Sequence, residues 1–250
     1  MPTKKQREAN RRAFKKMNTK EKISYVLAYY KLPIFTAFAV AAFIISLIVY
    51  NVIKKDPVLY TAYANIEVSD TLNQLLTDGY IETSGKNPKR QEVLVYRDLY
   101  ITDDETGADH DYAYASKMKI IGAISAKQLD VVLMNKGAYD LMSSSGFLLD
   151  LESSKEINPQ FYQTMSPYFV KNTVIVSDNS VEYSLNQADT YESVTEDFSN
   201  GVNVSSFAPF RNAGFDGEVY AGIIATTKHL DEAFSFIAWL PDAEAAGAEQ

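Results

Sequence analysis

The residues that could do chemistry are few, and their spacing limits each of them. Asp103-Asp104-Glu105-Thr106-Gly107-Ala108-Asp109-His110-Asp111 places oxygens at alternating positions, as a calcium loop does. It departs from the EF-hand pattern twice: Ala108 stands where the sharp turn needs glycine, and Tyr114 where a bidentate glutamate closes the shell. A solvated loop ending in a helix cap at Asp111 is the expectation, with weak Ca²⁺ binding as the alternative. His110 and His229 are the two histidines, far apart and with no ligand or base pattern around either. Ser143-Ser144-Ser145-Gly146 lacks the G-x-S-x-G elbow of a nucleophilic serine, and turn chemistry accounts for it. With no cysteine, disulfides, thiolate metal sites and a cysteine nucleophile are excluded together. No phosphate-cradling glycine loop or dinucleotide fingerprint occurs. The expectation is no enzyme, no cofactor and no assigned metal site.

What remains is binding. Tyr60, Tyr63, Tyr96 and Tyr100 gather on the first two expected strands, where rings could stack on sugars or peptides, though tyrosine in such places more often packs half-buried. In an open α/β sheet, ligands sit beyond the carboxyl ends of the strands. Those ends carry Asn65, Arg97, Asp98 and Asn135, which are the candidate ligand-binding residues. Capping helices and satisfying turns would explain them equally well. Arg97 presents a forked cation suited to a carboxylate or phosphate.

The elements that must position these residues follow from periodicity. Val58–Ile66 reads as a strand; then Ser69 or Asp70 caps a helix whose Leu72, Leu75 and Leu76 share a face and whose Gly79 is a natural stop. Glu92–Arg97 and Leu129–Met134 are the second and third strands. Between them Asp111 caps a helix with Tyr114, Met118, Ile121 and Ser125 at helical spacing. Strands separated by helices imply right-handed crossovers, so the expected fold class is α/β, a mostly parallel sheet flanked by helices. Thr173–Ser177 and Val219–Thr226 are later strands. A final helix from near Lys228 buries Leu230, Ala233, Phe234 and Ile237 and ends at Pro241.

The N-terminal part has a different chemistry. Residues 1–31 hold ten Lys or Arg against Glu8 and Glu21, a net of +8, so the rest sums to −16 within the overall −8. Leu32–Ile53 then runs without a charged side chain, which predicts one transmembrane helix preceding the α/β domain. The cation bias predicts a cytoplasmic N-terminus and an extracytoplasmic C-terminal domain, a single-pass protein of the cell membrane. A cleaved signal peptide is disfavoured, since Ala62-Tyr63-Ala64 lies well past the apolar run. Asn18 and Glu21 have capping-box spacing, and Ile23, Val26, Leu27 and Tyr30 form an apolar stripe suited to a lipid surface. The domain plan is a basic tail at 1–31, a span at 32–53, an α/β domain at 54–240 and a flexible tail at 241–250. The expected partners are the lipid bilayer and either a small ligand or a membrane complex. An acidic outer domain would repel nucleic acid.

Two stretches carry a family likeness. Ala126-Lys127-Gln128-Leu129-Asp130-Val131-Val132-Leu133-Met134, followed by Tyr139-Asp140-Leu141 and Gly146-Phe147-Leu148-Leu149-Asp150-Leu151, resembles the helix, "L-D-V" strand and "G-x-L-x-D-L" turn of bacterial extracellular solute-binding proteins. Tyr220–Ala225 and Glu232–Leu240 resemble their late strand and "A-x-x-F-I-x-W-L" helix. The resemblance implies a solute-binding-protein-like domain for a small ligand, glycan or peptide. It also suggests a shortened, membrane-anchored form of Gram-positive bacterial type. Such proteins have two full lobes, whereas the stretch between Met134 and Val219 leaves room for one lobe and a rudiment. No ligand-gripping residue of the family is identifiable here. The alternative is the same fold without a cleft, serving as an interaction subunit of a transporter-like membrane complex.

Overall fold

A computed structural model gives the structure of residues 3–29, 31–104, 107, 109–185, 187 and 189–243. The chain divides into two compact units, Met1–Lys54 and Lys55–Gln250.

The first unit is helical: α1 (Lys4–Lys16), α2 (Thr19–Tyr29) and α3 (Lys31–Ile53). The capping box forms at the start of α2, where Asn18 N–H donates to Glu21 and Glu21 N–H donates to Asn18 Oδ1, both at 3.0 Å. Of the expected apolar stripe, Ile23 is exposed, and the side chains of Val26, Leu27 and Tyr30 lie outside the described residues. Among the described residues no helix is long and apolar enough to cross a membrane. That finding overturns the transmembrane helix expected at 32–53, and with it the single-pass cell-membrane location and its orientation.

The second unit is built around one sheet. Its elements are β1 (Asp56–Ala64), α4 (Asp70–Gln74), α5 (Tyr80–Thr83), β2 (Gln91–Leu99), α6 (His110–Ser125), β3 (Val131–Met134) and α7 (Lys136–Ser144). Then follow α8 (Ser154–Ile157), α9 (Pro159–Met165), β4 (Phe169–Asp178), α10 (Ser180–Ser184), β5 (Ser193–Asn203), α11 (Ala208–Ala213), β6 (Tyr220–Ile223) and α12 (Leu230–Trp239). The strand order is β2-β1-β3-β6-β5-β4.

The sheet is mixed and mostly antiparallel, which corrects the expected mostly parallel fold class. β1 pairs in parallel with β2 and β3, while β3 with β6, β6 with β5 and β5 with β4 are antiparallel. The crossover argument succeeds for β1 to β3, where helices fill each connection. It fails after α9, because β4 pairs antiparallel with β5, the next strand, across a connection that holds only the short α10; β5 itself is not among the expected strands. The outer half of β5, Ser193–Asp197, is exposed and, apart from Val194, polar, with no inside-outside alternation to announce it.

β3 sits between β1 and β6, and all four of its residues are fully buried. Val131 and Leu133 pack on one face, Val132 and Met134 on the other, which is why its sequence is uniformly apolar. After β1, Ser69 accepts the Leu72 N–H at 3.2 Å and caps α4. Gly79 is not a stop: a π-helical turn, Leu75–Gly79, carries the chain into α5, and the positive φ falls at Gly85 (+70°) instead. In α6 the buried face is Ala113, Ser116, Ile120, Ala123 and Ile124, while Tyr114 and Met118 are 59% and 43% exposed. The small residues at 113 and 116, not the bulky ones, face the protein. In α12, Ala233, Phe234, Phe236 and Ile237 are buried, and Pro241 lies in the 3₁₀ turn that follows. Residues 244–250 of the expected tail lie outside the described residues.

Candidate functional site

The carboxyl ends of β1 and β3 lie side by side, with Ala64 opposite Met134. Each is followed by an asparagine. Asn65 turns the chain with a positive φ of 56°, and its side-chain amide grips one backbone position from both sides: Nδ2 donates to the Ile101 carbonyl and Oδ1 accepts the Ile101 N–H, each at 2.7 Å. Asn135 caps α7 by accepting the Ala138 N–H at 3.0 Å. The N–H groups of Lys136 and Gly137, in the first turn of that helix, have no intrahelical acceptor.

Both asparagines line a cleft of about 660 Å³, with Lys136 and Gly137 on one wall and the Ala213–Val219 segment on the other. Its charges are Glu67, Asp216 and Glu218 against Lys136, and Lys136 is ion-paired with Asp140. Hydrogen bonds from the Tyr220 hydroxyl and from Asn203 hold the Glu218 carboxyl below its usual range. Burial, reinforced by Glu218, pushes the Tyr220 phenol up to about 12. A second cleft of about 440 Å³ shares Ser69 and Ala213 with the first and runs between the π-helical turn and Pro209 and Asn212 of α11.

The other two candidates are elsewhere. Arg97 Nη1 lies 2.9 Å from Asp70 Oδ1, and Nη2 donates to the Val68 carbonyl at 2.8 Å. Asp98 has a positive φ of 58°, and its carbonyl accepts the Tyr112 hydroxyl. Neither lines the cleft. The tyrosines are dispersed as well: Tyr63 is buried and donates to Asn73 at 3.1 Å, Tyr60 stacks on His229, Tyr96 lies beside Lys119, and Tyr100 is exposed. In the acidic loop, residues 105, 106 and 108 lie outside the described residues. Among the described residues no three His, Asp or Glu side chains could hold a metal ion.

Two polar clusters join residues far apart in the sequence. Asp130, fully buried, accepts the Tyr60 N–H at 2.8 Å and the Thr227 hydroxyl, and faces His229 Nδ1 at 3.1 Å. In the other, the buried Tyr139 hydroxyl lies 2.8 Å from Asn200 Oδ1, and Asn200 Nδ2 donates to Ser143 Oγ at 2.8 Å. Ser143 in turn donates to the Thr173 carbonyl at 2.9 Å. Partners so distant in sequence leave no spacing signal. Only the apolar setting of Asp130, between Leu129 and Val131, marks it as a buried charge needing company.

No protein-family model, no curated protein and no solved structure matches the chain.

Proposed function

We propose that the Lys55–Ala243 domain is a binding module that takes a small polar ligand in the cleft beyond β1 and β3, a solute-binding-protein-like use of the fold. One observation carries this reading. The chain leaves β1 for β2 on one side and then crosses to β3 on the other, so the crevice between β1 and β3 is the point where the strand order reverses. In open α/β sheets that is where ligands bind, and here it is a cleft of about 660 Å³, within the size range of small-molecule sites.

The charges select the ligand. Three carboxylates outweigh Lys136, already paired with Asp140, and the roughly half-charge of a helix N-terminus. A neutral or amine-bearing ligand fits better than a carboxylate or phosphate. Amide and hydroxyl groups of such a ligand can accept from the Lys136 and Gly137 N–H groups.

Gly137 offers a clean test, because it lines the cleft and a Cβ there would meet only Asn135 Oδ1, at 3.7 Å. Melting of the full chain is followed against sugars, amino acids, amines and short peptides. A true ligand at 100 times its Kd stabilises by about 2.7 kcal/mol. Gly137→Leu should weaken that ligand at least tenfold and leave the unliganded melting temperature in place. A panel without a hit, or a hit indifferent to Gly137→Leu, overturns the assignment.

A further inference from the structure

The β4–β5 ribbon is packed at its base and, through the half-buried Val174 and Ile175, along the inner part of β4. Near the sheet, Ser199, Asn200, Gly201 and Val202 are buried, and the Tyr139–Asn200–Ser143 cluster ties the ribbon to α7. Farther out the pairs Thr173 with Asp197 and Ser177 with Val194 hold the two strands together, and their side chains are exposed. Val176, Val181, Tyr183, Leu185, Tyr191 and Val194 are 44–63% exposed. Among the described residues these six make up half of the large apolar side chains exposed in the second unit, all between Val176 and Val194. Concentrations of this kind mark interaction sites.

Beyond Lys171, at the base of β4, the same element is acidic. Residues 172–203 contain six Asp or Glu and no Lys or Arg. Among the described residues, Asp178, Asp189, Glu192, Glu196 and Asp197 have no ion-pair partner. Hydrogen bonds from Ser180, and from Tyr191, hold the Asp178 carboxyl below its usual range, so that it keeps its charge. Exposed apolar surface asks for cover, and uncompensated like charge asks for cations. The ribbon of a second copy would meet both demands badly, since it brings carboxylates against carboxylates. Anionic lipid and nucleic acid are repelled for the same reason.

We infer that the outer β4–β5 ribbon docks a basic amphipathic protein segment, one that alternates Lys or Arg with apolar side chains. The apolar side chains cover Val181, Tyr183, Leu185 and Val194, and the cations face Glu196, which shares a face of β5 with Val194, and the neighbouring Glu192. This surface is separate from the cleft and does not depend on it.

The test uses the full-length chain and three synthetic peptides of equal length, built from Lys and Leu, from Lys and Ser, and from Glu and Leu, with binding read by fluorescence anisotropy. The Lys/Leu peptide should bind, the Lys/Ser peptide at least tenfold more weakly, and the Glu/Leu peptide not at all. Glu192→Gln with Glu196→Gln, and separately Val181→Ser with Leu185→Ser, should each weaken the Lys/Leu peptide about tenfold without moving the melting temperature. Glu156→Gln with Asp231→Asn, an equal charge change on exposed residues elsewhere, should leave binding unchanged. Equal binding of the two Lys peptides, or an equal loss in the Glu156/Asp231 variant, would reduce the effect to general attraction and overturn the proposal. Absence of binding overturns it too, as does self-association of the chain that the ribbon variants abolish.

Discussion

Asp130 Oδ2 lies 3.1 Å from Nδ1 of His229, across 99 residues of chain. The carboxylate is fully buried, whereas the imidazole is about one-third exposed. Asp130 thus anchors the start of β3 to the start of α12, with the Tyr60 N–H and the Thr227 hydroxyl completing its shell. Stripping the partners from a buried charge costs about 3–5 kcal/mol. The exposure of His229 places His229→Ala near the lower end of that range, because water can enter beside the carboxylate. We predict that His229→Ala and Asp130→Asn are both destabilising, and that the double variant loses less than the sum of the two by about 0.5–3 kcal/mol. Urea unfolding of the four proteins measures this. Strict additivity would show that the two side chains are neighbours without being coupled.

Gly201 faces the ring of Tyr139, and a Cβ placed there would come within 2.6 Å of it. The ring cannot retreat, since it stacks on Tyr220 at 4.8 Å and its hydroxyl is held by Asn200 and the Val170 carbonyl. Gly201→Ala should therefore cost about 1–3 kcal/mol through overpacking. Asn200→Ala should cost a similar amount through lost buried hydrogen bonds. An unfolding midpoint for Gly201→Ala within error of wild type would mean that the ribbon base is looser than its packing indicates.

Burial pushes the phenols of Tyr63, Tyr80, Tyr139 and Tyr220 above their ordinary value of 10.0, that of Tyr220 to about 12. The unfolded chain ionises these groups near 10 and the folded chain does not. Their contribution is fully present below pH 10 and is lost as the pH rises from there through 12, because only the unfolded state gives up protons in that window. The urea midpoint should fall across this range. Phenolate absorbance should show at least four of the 17 tyrosines lagging behind the rest. Simultaneous ionisation of all tyrosines near pH 10 in a still-folded protein would contradict this account.

What the sequence made legible was local. The Leu129–Met134 run gave a strand buried on both faces, and the pattern at 230–237 gave the buried stripe of α12, because in both the periodicity of apolar side chains is the physical cause of the burial. Asn65 and Asn135 follow the strand ends that the rule singles out, and both line the cleft. Pairing direction was not legible, since nothing in Phe169–Asp178 or Ser193–Asn203 states which neighbour each strand will choose. The buried face of α6 is not the more apolar one: Tyr114 and Met118 outweigh Ala113 and Ser116 in hydrophobicity, while close packing favours the smaller pair. The apolar run at 32–53 gave a helix but not the membrane span inferred from it.

Arg97 is where the rule of strand ends leads away from the cleft. Its guanidinium reaches back to α4, pairing with Asp70 and donating to the Val68 carbonyl, so its fork is occupied and directed along the sheet edge. The Asp70 side chain is 94% exposed, and ion pairs at such exposure contribute about 0–1 kcal/mol. The bond to Val68 adds about 1 kcal/mol, as for an ordinary hydrogen bond. Arg97→Ala should therefore lower stability by about 1–2 kcal/mol and leave affinity for any cleft ligand within twofold of wild type. Isothermal titration with a ligand found in the melting panel, together with urea unfolding of the same protein, separates the two effects. A tenfold loss of affinity without loss of stability would return Arg97 to the binding site and move that site from the β1–β3 crevice to the outer end of β2.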